Sequence, residues 1–170
     1  MWWKLLVFVA MAAMIVASFV TPAPQRVIGE ASRVFYYHIP QAWVCVIAFA
    51  VSMVFSIRYL MKRQAIEDDR ASVAAGLGLV FCILATVTGS VFAKITWGSF
   101  WNWDPRETSI FVLLLIYGAY FALRSAIDAP EKRARLAAVY VVCLFGFIIW
   151  IGLAISWLFF HGMKPPLATP

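Results

Sequence analysis

Charged residues are scarce in this chain of 170 residues. They account for 13% of it, whereas hydrophobic residues account for 64%, and the mean hydropathy is +0.88. This composition excludes a soluble domain and places the chain among integral membrane proteins. The net charge is +6, but the Lys and Arg residues stand at the ends of apolar runs, as membrane anchoring requires. We therefore expect a lipid bilayer and no nucleic acid among its partners.

Cysteine is equally scarce, and catalytic motifs are absent from the sequence. Cys45, Cys82 and Cys143 lie in separate apolar runs without CxxC spacing, which predicts small buried side chains and not redox or metal ligands. The sequence offers no nucleophile beside a base, no zinc-ligand spacing and no phosphate-binding loop. We therefore expect no enzymatic activity, and energy from ATP has to come from a partner.

Long apolar runs dominate the chain. Five of them, at about 4–21, 41–61, 72–94, 108–126 and 135–160, are long enough to cross the hydrocarbon core as helices. The first run resembles a signal peptide because Lys4 precedes it, but it is too long, and Pro22 and Pro24 interrupt the cleavage region. The sequence thus predicts an all-α, polytopic transmembrane helix bundle that forms a single domain over residues 1–170.

Two helix starts carry capping signals. Asp128, followed three residues later by Glu131, is typical of an N-cap for the fifth helix. Asp104 precedes Pro105, with Glu107 nearby, and this pattern predicts a turn that caps the fourth helix.

The basic residues predict the orientation in the membrane. Nine fall on one side and five on the other: Lys4, Arg58, Lys62, Arg63, Arg70, Arg124, Lys132, Arg133 and Arg135 against Arg26, Arg33, Lys94, Arg106 and Lys164. Because the richer side is normally cytoplasmic, we expect a cytoplasmic N-terminus. The loop 22–40, the segment 95–107 and the tail from His161 onward then share the outer face.

An aromatic segment, residues 97–108, separates the third and fourth spans. Its rings are Trp97, Phe100, Trp101 and Trp103. Exposed to water, these rings would form an uncovered apolar patch, so the segment requires a flat apolar partner. Anchoring at the membrane interface is an adequate explanation for the other tryptophans, Trp2, Trp3, Trp43, Trp150 and Trp157. It explains the dense aromatic segment less well.

The chain has only two histidines, His38 and His161, and both fall on the predicted outer face. A neutral imidazole nitrogen is a good axial ligand for haem iron, and indole rings offer a flat apolar surface to the porphyrin. Cationic partners for the haem propionates are available in Arg33, Arg106 and Lys94. A role as a simple polar anchor stays open for either histidine.

Two segments resemble a known family. Residues 97–104, WGSFWNWD, resemble the tryptophan-rich WWD signature, WGxxWxWD, of the haem-handling proteins of cytochrome c maturation. Residues 33–40, RVFYYHIP, resemble the R-x-x-Y-x-H-x-P pattern of the haem exporter C family (CcmC). The resemblance covers most of the chain and implies a multi-pass protein of the bacterial inner membrane.

The resemblance also implies a ligand and partners. Non-covalent haem b would bind at the periplasmic face, with His38 and His161 as axial ligands of the iron. The residues around it would be Trp97, Trp101, Trp103, Asp104, Arg33 and Arg106. The haem would pass to the chaperone CcmE, and the protein would work with the CcmA/CcmB ABC transporter and with CcmD.

Departures from the family pattern leave alternatives open. The family usually has six spans, and no histidine occurs in residues 146–153, where its second ligand is expected. His161 is either that ligand in a shifted register or a later histidine of the outer loop. The segment DPRET at 104–108 is closer to the CcsA component of a cytochrome c haem synthetase. A third possibility is a non-haem assembly subunit whose aromatic segment docks a protein.

Overall fold

A computed structural model describes residues 2–21 and 29–162, with side-chain environments for 2–21 and 29–146. Five long helices follow one another: α1 Trp2–Val20, α2 Phe35–Lys62, α3 Ala65–Trp97, α4 Pro105–Ser125 and α5 Pro130–Gly162. A short 3-10 helix, Gly29–Val34, leads directly into α2. No strand occurs in the part of the chain that the structure describes, so the all-α prediction is confirmed.

The helices have the length and composition of membrane spans. Four segments qualify by length and composition among the described residues: Trp2–Val20, Gly29–Lys62, Ala65–Trp97 and Pro105–Ser125. The fifth helix, α5, has 33 residues, or about 50 Å at 1.5 Å per residue, which is ample for a crossing. The molecule is therefore a polytopic helical membrane protein whose third and fourth helices are joined by the aromatic segment.

The chain divides into two compact units. Unit 1 comprises Met1–Val46 and Gly78–Leu114, and unit 2 comprises Ile47–Leu77 and Leu115–Pro170. In unit 1, the free thiols of Cys45 and Cys82 are buried beside each other, as predicted, whereas Cys143 in unit 2 is exposed and its predicted burial is wrong. In unit 2, the rings of Phe49 and Tyr117 stack with their centroids 3.5 Å apart.

Buried ion pairs stabilise unit 2. Asp68 is only 7% exposed and accepts two hydrogen bonds from the Arg124 guanidinium, at 2.6 and 2.9 Å. Glu67, the preceding residue, is 2% exposed and pairs with Arg58 at 3.0 Å. Both carboxylates lie in the first turn of α3, where the helix dipole favours negative charge. The connection between α2 and α3 is therefore only two residues long, because the acidic residues belong to the helix.

Two sequence-based boundaries are wrong. His38 was expected before the second helix, but α2 begins at Phe35 because the 3-10 helix runs straight into it. Pro40 therefore lies inside α2, near its start. The N-cap predicted at Asp128 is wrong by one residue. Pro130 takes the first helical position of α5, as proline prefers, and this leaves the N-cap position to Ala129.

Removing the Asp68 carboxylate should destabilise unit 2 strongly. In Asp68→Ala the buried Arg124 guanidinium loses its partner, and we expect the free energy of unfolding to fall by about 3 kcal/mol. Thermal unfolding in detergent, followed by circular dichroism, measures the effect. Asp69→Ala is the matched control, since Asp69 is the exposed neighbour on the same turn and should cost less than about 0.5 kcal/mol. Equal losses in the two variants would contradict a structural role for the Asp68 pair.

Candidate functional site

Asp104 starts helix α4 and fixes one end of the aromatic segment. Its Oδ1 accepts hydrogen bonds from the backbone N–H groups of Arg106, at 2.8 Å, and Glu107, at 2.9 Å. Pro105 follows as the first helical residue, so the predicted cap is confirmed. The N–H of Glu107 in the first place, and then Arg106, hold the pKa of the Asp104 carboxyl below its usual value.

Gly98 ends helix α3 and fixes the other end. Its φ of +80° lies in the left-handed region, which favours glycine, and its N–H donates to the carbonyl of Lys94 at 3.1 Å. The Nζ of Lys94 in turn donates to the carbonyl of Gly98 at 2.8 Å. These bonds close the helix end, so the chain leaves α3 in a defined direction.

The backbone between the two ends is held by side chains. Ser99 Oγ donates to the carbonyl of Trp101 at 2.8 Å, and Glu107 Oε2 accepts the N–H of Asn102 at 2.5 Å. Trp103 has a φ of 57°, a left-handed conformation that is unfavourable for a bulky residue. Such strain persists only where surrounding contacts enforce it, and it occurs often at binding sites. The segment is thus preorganised by its own hydrogen bonds.

The rings of the segment form two clusters. In the first, Trp101, Trp103 and Phe111 meet edge to face, with centroids 5.7, 6.2 and 6.1 Å apart. In the second, Trp97 meets Phe92 edge to face at 5.9 Å. Despite these contacts, Trp97 is 51% and Trp103 is 68% exposed. A large aromatic surface therefore remains available to a ligand.

Sequence reasoning missed Phe92 and Phe111. Phe92 also packs against Phe35 of α2, with the centroids 4.9 Å apart. Both missed residues lie in predicted spans, where a phenylalanine is unremarkable in composition. Their helical spacing, one to two turns from Trp97 and from Asp104, is the signal that could have found them.

One buried polar atom of the segment has no hydrogen-bond partner among the described residues. The indole Nε1 of Trp101 is buried and makes no hydrogen bond to the residues whose side chains the structure describes. A buried N–H without an acceptor costs about 1–3 kcal/mol. An anionic or carbonyl oxygen of a bound ligand would remove that cost, so this atom fits a ligand that carries acceptors.

His38 is half-buried in unit 1, against α3. Its Nδ1 lies 3.0 Å from Thr88 Oγ1, and its ring lies against the backbone of Gly89. Thr88 is nine residues before Trp97. Nine residues correspond to about 14 Å along α3 at 1.5 Å per residue, so Thr88 lies about that far from the start of the aromatic segment. The structure thus places His38 and the segment in one unit.

Arg33, one of the three candidate cations for a propionate, already has partners within the protein. Arg33 donates to the carbonyls of Ser18 and Thr21, at the end of α1, and pairs with Glu30. That Arg33 pairs with a propionate stays a prediction. A propionate would have to compete with these partners for the guanidinium.

Arg106 is the cation best placed at the rings. Its side chain is 78% exposed, with Nη2 3.2 Å from Asp104 Oδ2 and Cζ 5.4 Å from the centroid of Trp97. Lys94 lies over the ring of Phe100, with Nζ 5.5 Å from its centroid. Arg106 therefore lies over an indole of the aromatic segment and keeps most of its guanidinium accessible to a ligand.

His161 belongs by its backbone to the last turn of α5, Pro130–Gly162. Its side chain lies outside the described residues, as do those of Trp150 and Trp157. The prediction that His161 is an axial ligand therefore stays a prediction.

Fold and site together define a class: a multi-pass helical membrane protein that displays a preorganised aromatic segment between two of its helices. Comparison with known families places the chain within that class. The family described as "Heme exporter protein C" (CcmC) matches residues 1–161. The chain belongs to this family.

Individual relatives agree. The chain is 35% identical to Heme exporter protein C of Rhodobacter capsulatus over 128 residues, which are 75% of this chain and 52% of the relative. It is 37% identical to the protein of the same name from Bradyrhizobium diazoefficiens over 111 residues, 65% of this chain and 42% of the relative. A "putative cytochrome c biosynthesis ccmC-like mitochondrial protein" of Marchantia polymorpha is 30% identical over 113 residues, which are 66% of this chain and 47% of the relative. The chain spans about half the length of the curated relatives it matches.

The Asp104 cap should be required for the order of the aromatic segment. In Asp104→Ala the N–H groups of Arg106 and Glu107 lose their acceptor, and we expect faster hydrogen exchange in peptides covering residues 98–110. Asp104→Asn keeps an acceptor oxygen and should exchange nearly as slowly as the unmodified protein.

The same cap should weaken in acid. Because folding lowers the pKa of Asp104, its contribution is complete above the unfolded-state pKa and is lost as the pH falls through the folded-state pKa. After correction for intrinsic rates, protection of residues 98–110 should therefore fall on acidification, and Asp104→Asn should lack this dependence. Equal pH dependence in both proteins would show that another group is responsible.

Proposed function

We propose that this protein binds haem b non-covalently at the aromatic segment and presents it for cytochrome c maturation. The single observation that supports this most is the exposed, preorganised set of rings formed by Trp97, Trp101 and Trp103 in a chain of the Heme exporter protein C family. The porphyrin is the flat apolar partner that these rings require. The names of the relatives point to the same ligand.

The energetics of the rings suit reversible binding. Covering about 200–300 Å² of apolar porphyrin surface contributes about 5–8 kcal/mol at 25 cal/mol per Å², before ordering costs are subtracted. The propionates would find donors in Arg106 and in the unpartnered Nε1 of Trp101. Such a site holds haem outside the lipid, yet releases it without a large barrier.

The imidazoles would hold the iron. His38 supplies one axial ligand from α2, and His161 at the end of α5 supplies the second in this proposal. Displacement of one imidazole by a group of the acceptor protein would start the handover. No bond of the porphyrin is made or broken, so the proposed role is binding and transfer and not catalysis.

The proposed setting is the bacterial inner membrane. The distribution of basic residues supports a cytoplasmic N-terminus and a periplasmic aromatic segment and C-terminus. By family membership, the proposed recipient of haem is CcmE, and the proposed partners are the CcmA/CcmB ABC transporter and CcmD.

A second function has one specific observation in its favour. The DPRET sequence, which begins at the Asp104 cap and runs into α4, is closer to the CcsA component of a haem synthetase. In that function apocytochrome c, and not CcmE, would co-purify with the protein. Affinity purification from cells that contain both candidates separates the two functions.

The axial ligands can be tested by absorption spectroscopy. Protein purified after expression with ample haem should show a Soret band typical of bis-imidazole haem, and His38→Ala should change that spectrum. A changed spectrum in His161→Ala would support His161 as the second axial ligand, whereas an unchanged spectrum would remove His161 from the ligand set. A complete lack of Soret absorbance in the unmodified protein would favour a non-haem docking subunit instead.

The ring surface needs its own test. In Trp101→Ala together with Trp103→Ala, loss of the apolar area should lower haem occupancy at least about tenfold, because each 1.4 kcal/mol corresponds to a factor of ten. Trp2→Ala together with Trp3→Ala is the matched control, since these two exposed indoles lie on α1 and outside the segment. Both double variants should insert into the membrane normally. Equal loss of haem from the two would mean that tryptophans act here only as anchors.

A further inference from the structure

We infer that Thr88 is a positioning residue that fixes His38 in the tautomer protonated at Nδ1, leaving the lone pair on Nε2 for the haem iron. The inference rests on the proposed function for the identity of the iron. The tautomer itself follows from contacts between α2 and α3 within unit 1.

The hydrogen bonds of Thr88 decide which atom donates. Its Oγ1 lies 2.8 Å from the carbonyl of Leu84, 3.2 Å from the carbonyl of Ala85 and 3.2 Å from Oε1 of Gln41. A hydroxyl has one hydrogen and two lone pairs, and a carbonyl oxygen can only accept. Among these oxygens and the Nδ1 of His38, which lies 3.0 Å away, the carbonyl of Leu84 is the nearest acceptor, so we assign the single hydrogen of Thr88 to it.

The lone pairs of Thr88 then face His38. With the hydroxyl hydrogen on Leu84, the Nδ1 of His38, 3.0 Å from Thr88 Oγ1, is the donor of the bond between them. An amide-flipped Gln41 would donate to the second lone pair and would leave this result unchanged. The arrangement therefore favours a protonated Nδ1 in either orientation of the amide.

The state of Nε2 follows from that of Nδ1. A neutral imidazole carries one hydrogen, so protonation at Nδ1 leaves Nε2 as a free acceptor. Residues that bind a metal through one ring nitrogen commonly donate the other N–H to an oxygen, and this second contact orients the ring. Thr88 has this relation to His38. Sequence reasoning could not find it, because the two residues are 50 positions apart.

The absence of a side chain at Gly89 leaves room for the imidazole ring of His38. A Cβ atom at this site would lie 3.1 Å from Cε1 of His38 and 3.6 Å from Nδ1. A methyl group there would press on Cε1 of the imidazole, which is attached close to the backbone and has little freedom to retreat. The ring therefore donates a hydrogen bond to Thr88 and lies against the bare backbone of Gly89.

The tautomer can be measured without haem. Selective ¹⁵N labelling of histidine in the haem-free protein, at a pH where the imidazole is neutral, reports which ring nitrogen carries the hydrogen. His161→Ala assigns the signals, because only His38 then remains. We expect Nδ1 to be protonated in the unmodified protein and in Thr88→Ser, which keeps the hydroxyl, and we expect Thr88→Val to lose this preference.

Thr86→Val is the matched control. Thr86 lies on the same helix and makes the same kind of bond, from Oγ1 to the carbonyl of Cys82 at 2.8 Å. It should leave the histidine signals unchanged. The inference is overturned if the unmodified protein is protonated at Nε2. It is also overturned if Thr88→Val and Thr86→Val give the same spectrum.

Haem titration then tests the consequence for binding. Loss of a contact of this kind typically lowers metal affinity 10–100-fold, so Thr88→Val should bind haem at least about tenfold more weakly than Thr86→Val. Gly89→Ala should weaken binding through displacement of the ring. Equal affinity in the two threonine variants would overturn the positioning role. If no variant binds haem while the ¹⁵N result holds, the proposed function fails and the tautomer assignment stands.

Discussion

Backbone hydrogen bonding within the bilayer determines where in this protein a binding site can form. An unpaired N–H or carbonyl in hydrocarbon costs several kcal/mol, so the chain crosses as helices and leaves them only at their ends. The aromatic segment is built at such an exit. Helix α3 ends at Gly98 and Asp104 caps the start of α4. The stretch between them is so short that these two helix ends hold it in place. The rings depend on this frame for their arrangement.

Polar side chains within the helices are used mainly to hold helices together. Lipid tails are as apolar as leucine, so burial of apolar surface gives helices little reason to associate. Hydrogen bonds between helices and close packing of small residues take over that role. Asp68 with Arg124 in unit 2 and His38 with Thr88 in unit 1 are examples of such polar contacts. The buried small residues are mostly alanines: Ala48, Ala71, Ala75, Ala85, Ala93, Ala134, Ala137 and Ala138.

Features that depend on neighbouring residues could be predicted from the sequence, and features that depend on distant ones could not. Apolar length predicted the helices, and the spacing of Asp104, Pro105 and Glu107 predicted the cap of α4. The partner of His38 and the contact of Phe92 with Phe35 arise only when different helices pack. The predicted start of the second span is too late, because the 3-10 helix runs straight into α2 and Pro40 lies inside that helix.

Gly89 has a consequence for how α3 can vary. Glycine in a helix interior is about 1 kcal/mol less favourable than alanine, so selection for helix stability alone would replace it. The imidazole of His38 occupies the space that the alanine methyl group would need. Stability of α3 and the position of the ring therefore impose opposite demands on this one residue. Any substitution at position 89 that makes the helix more stable on its own also places a Cβ atom against the ring.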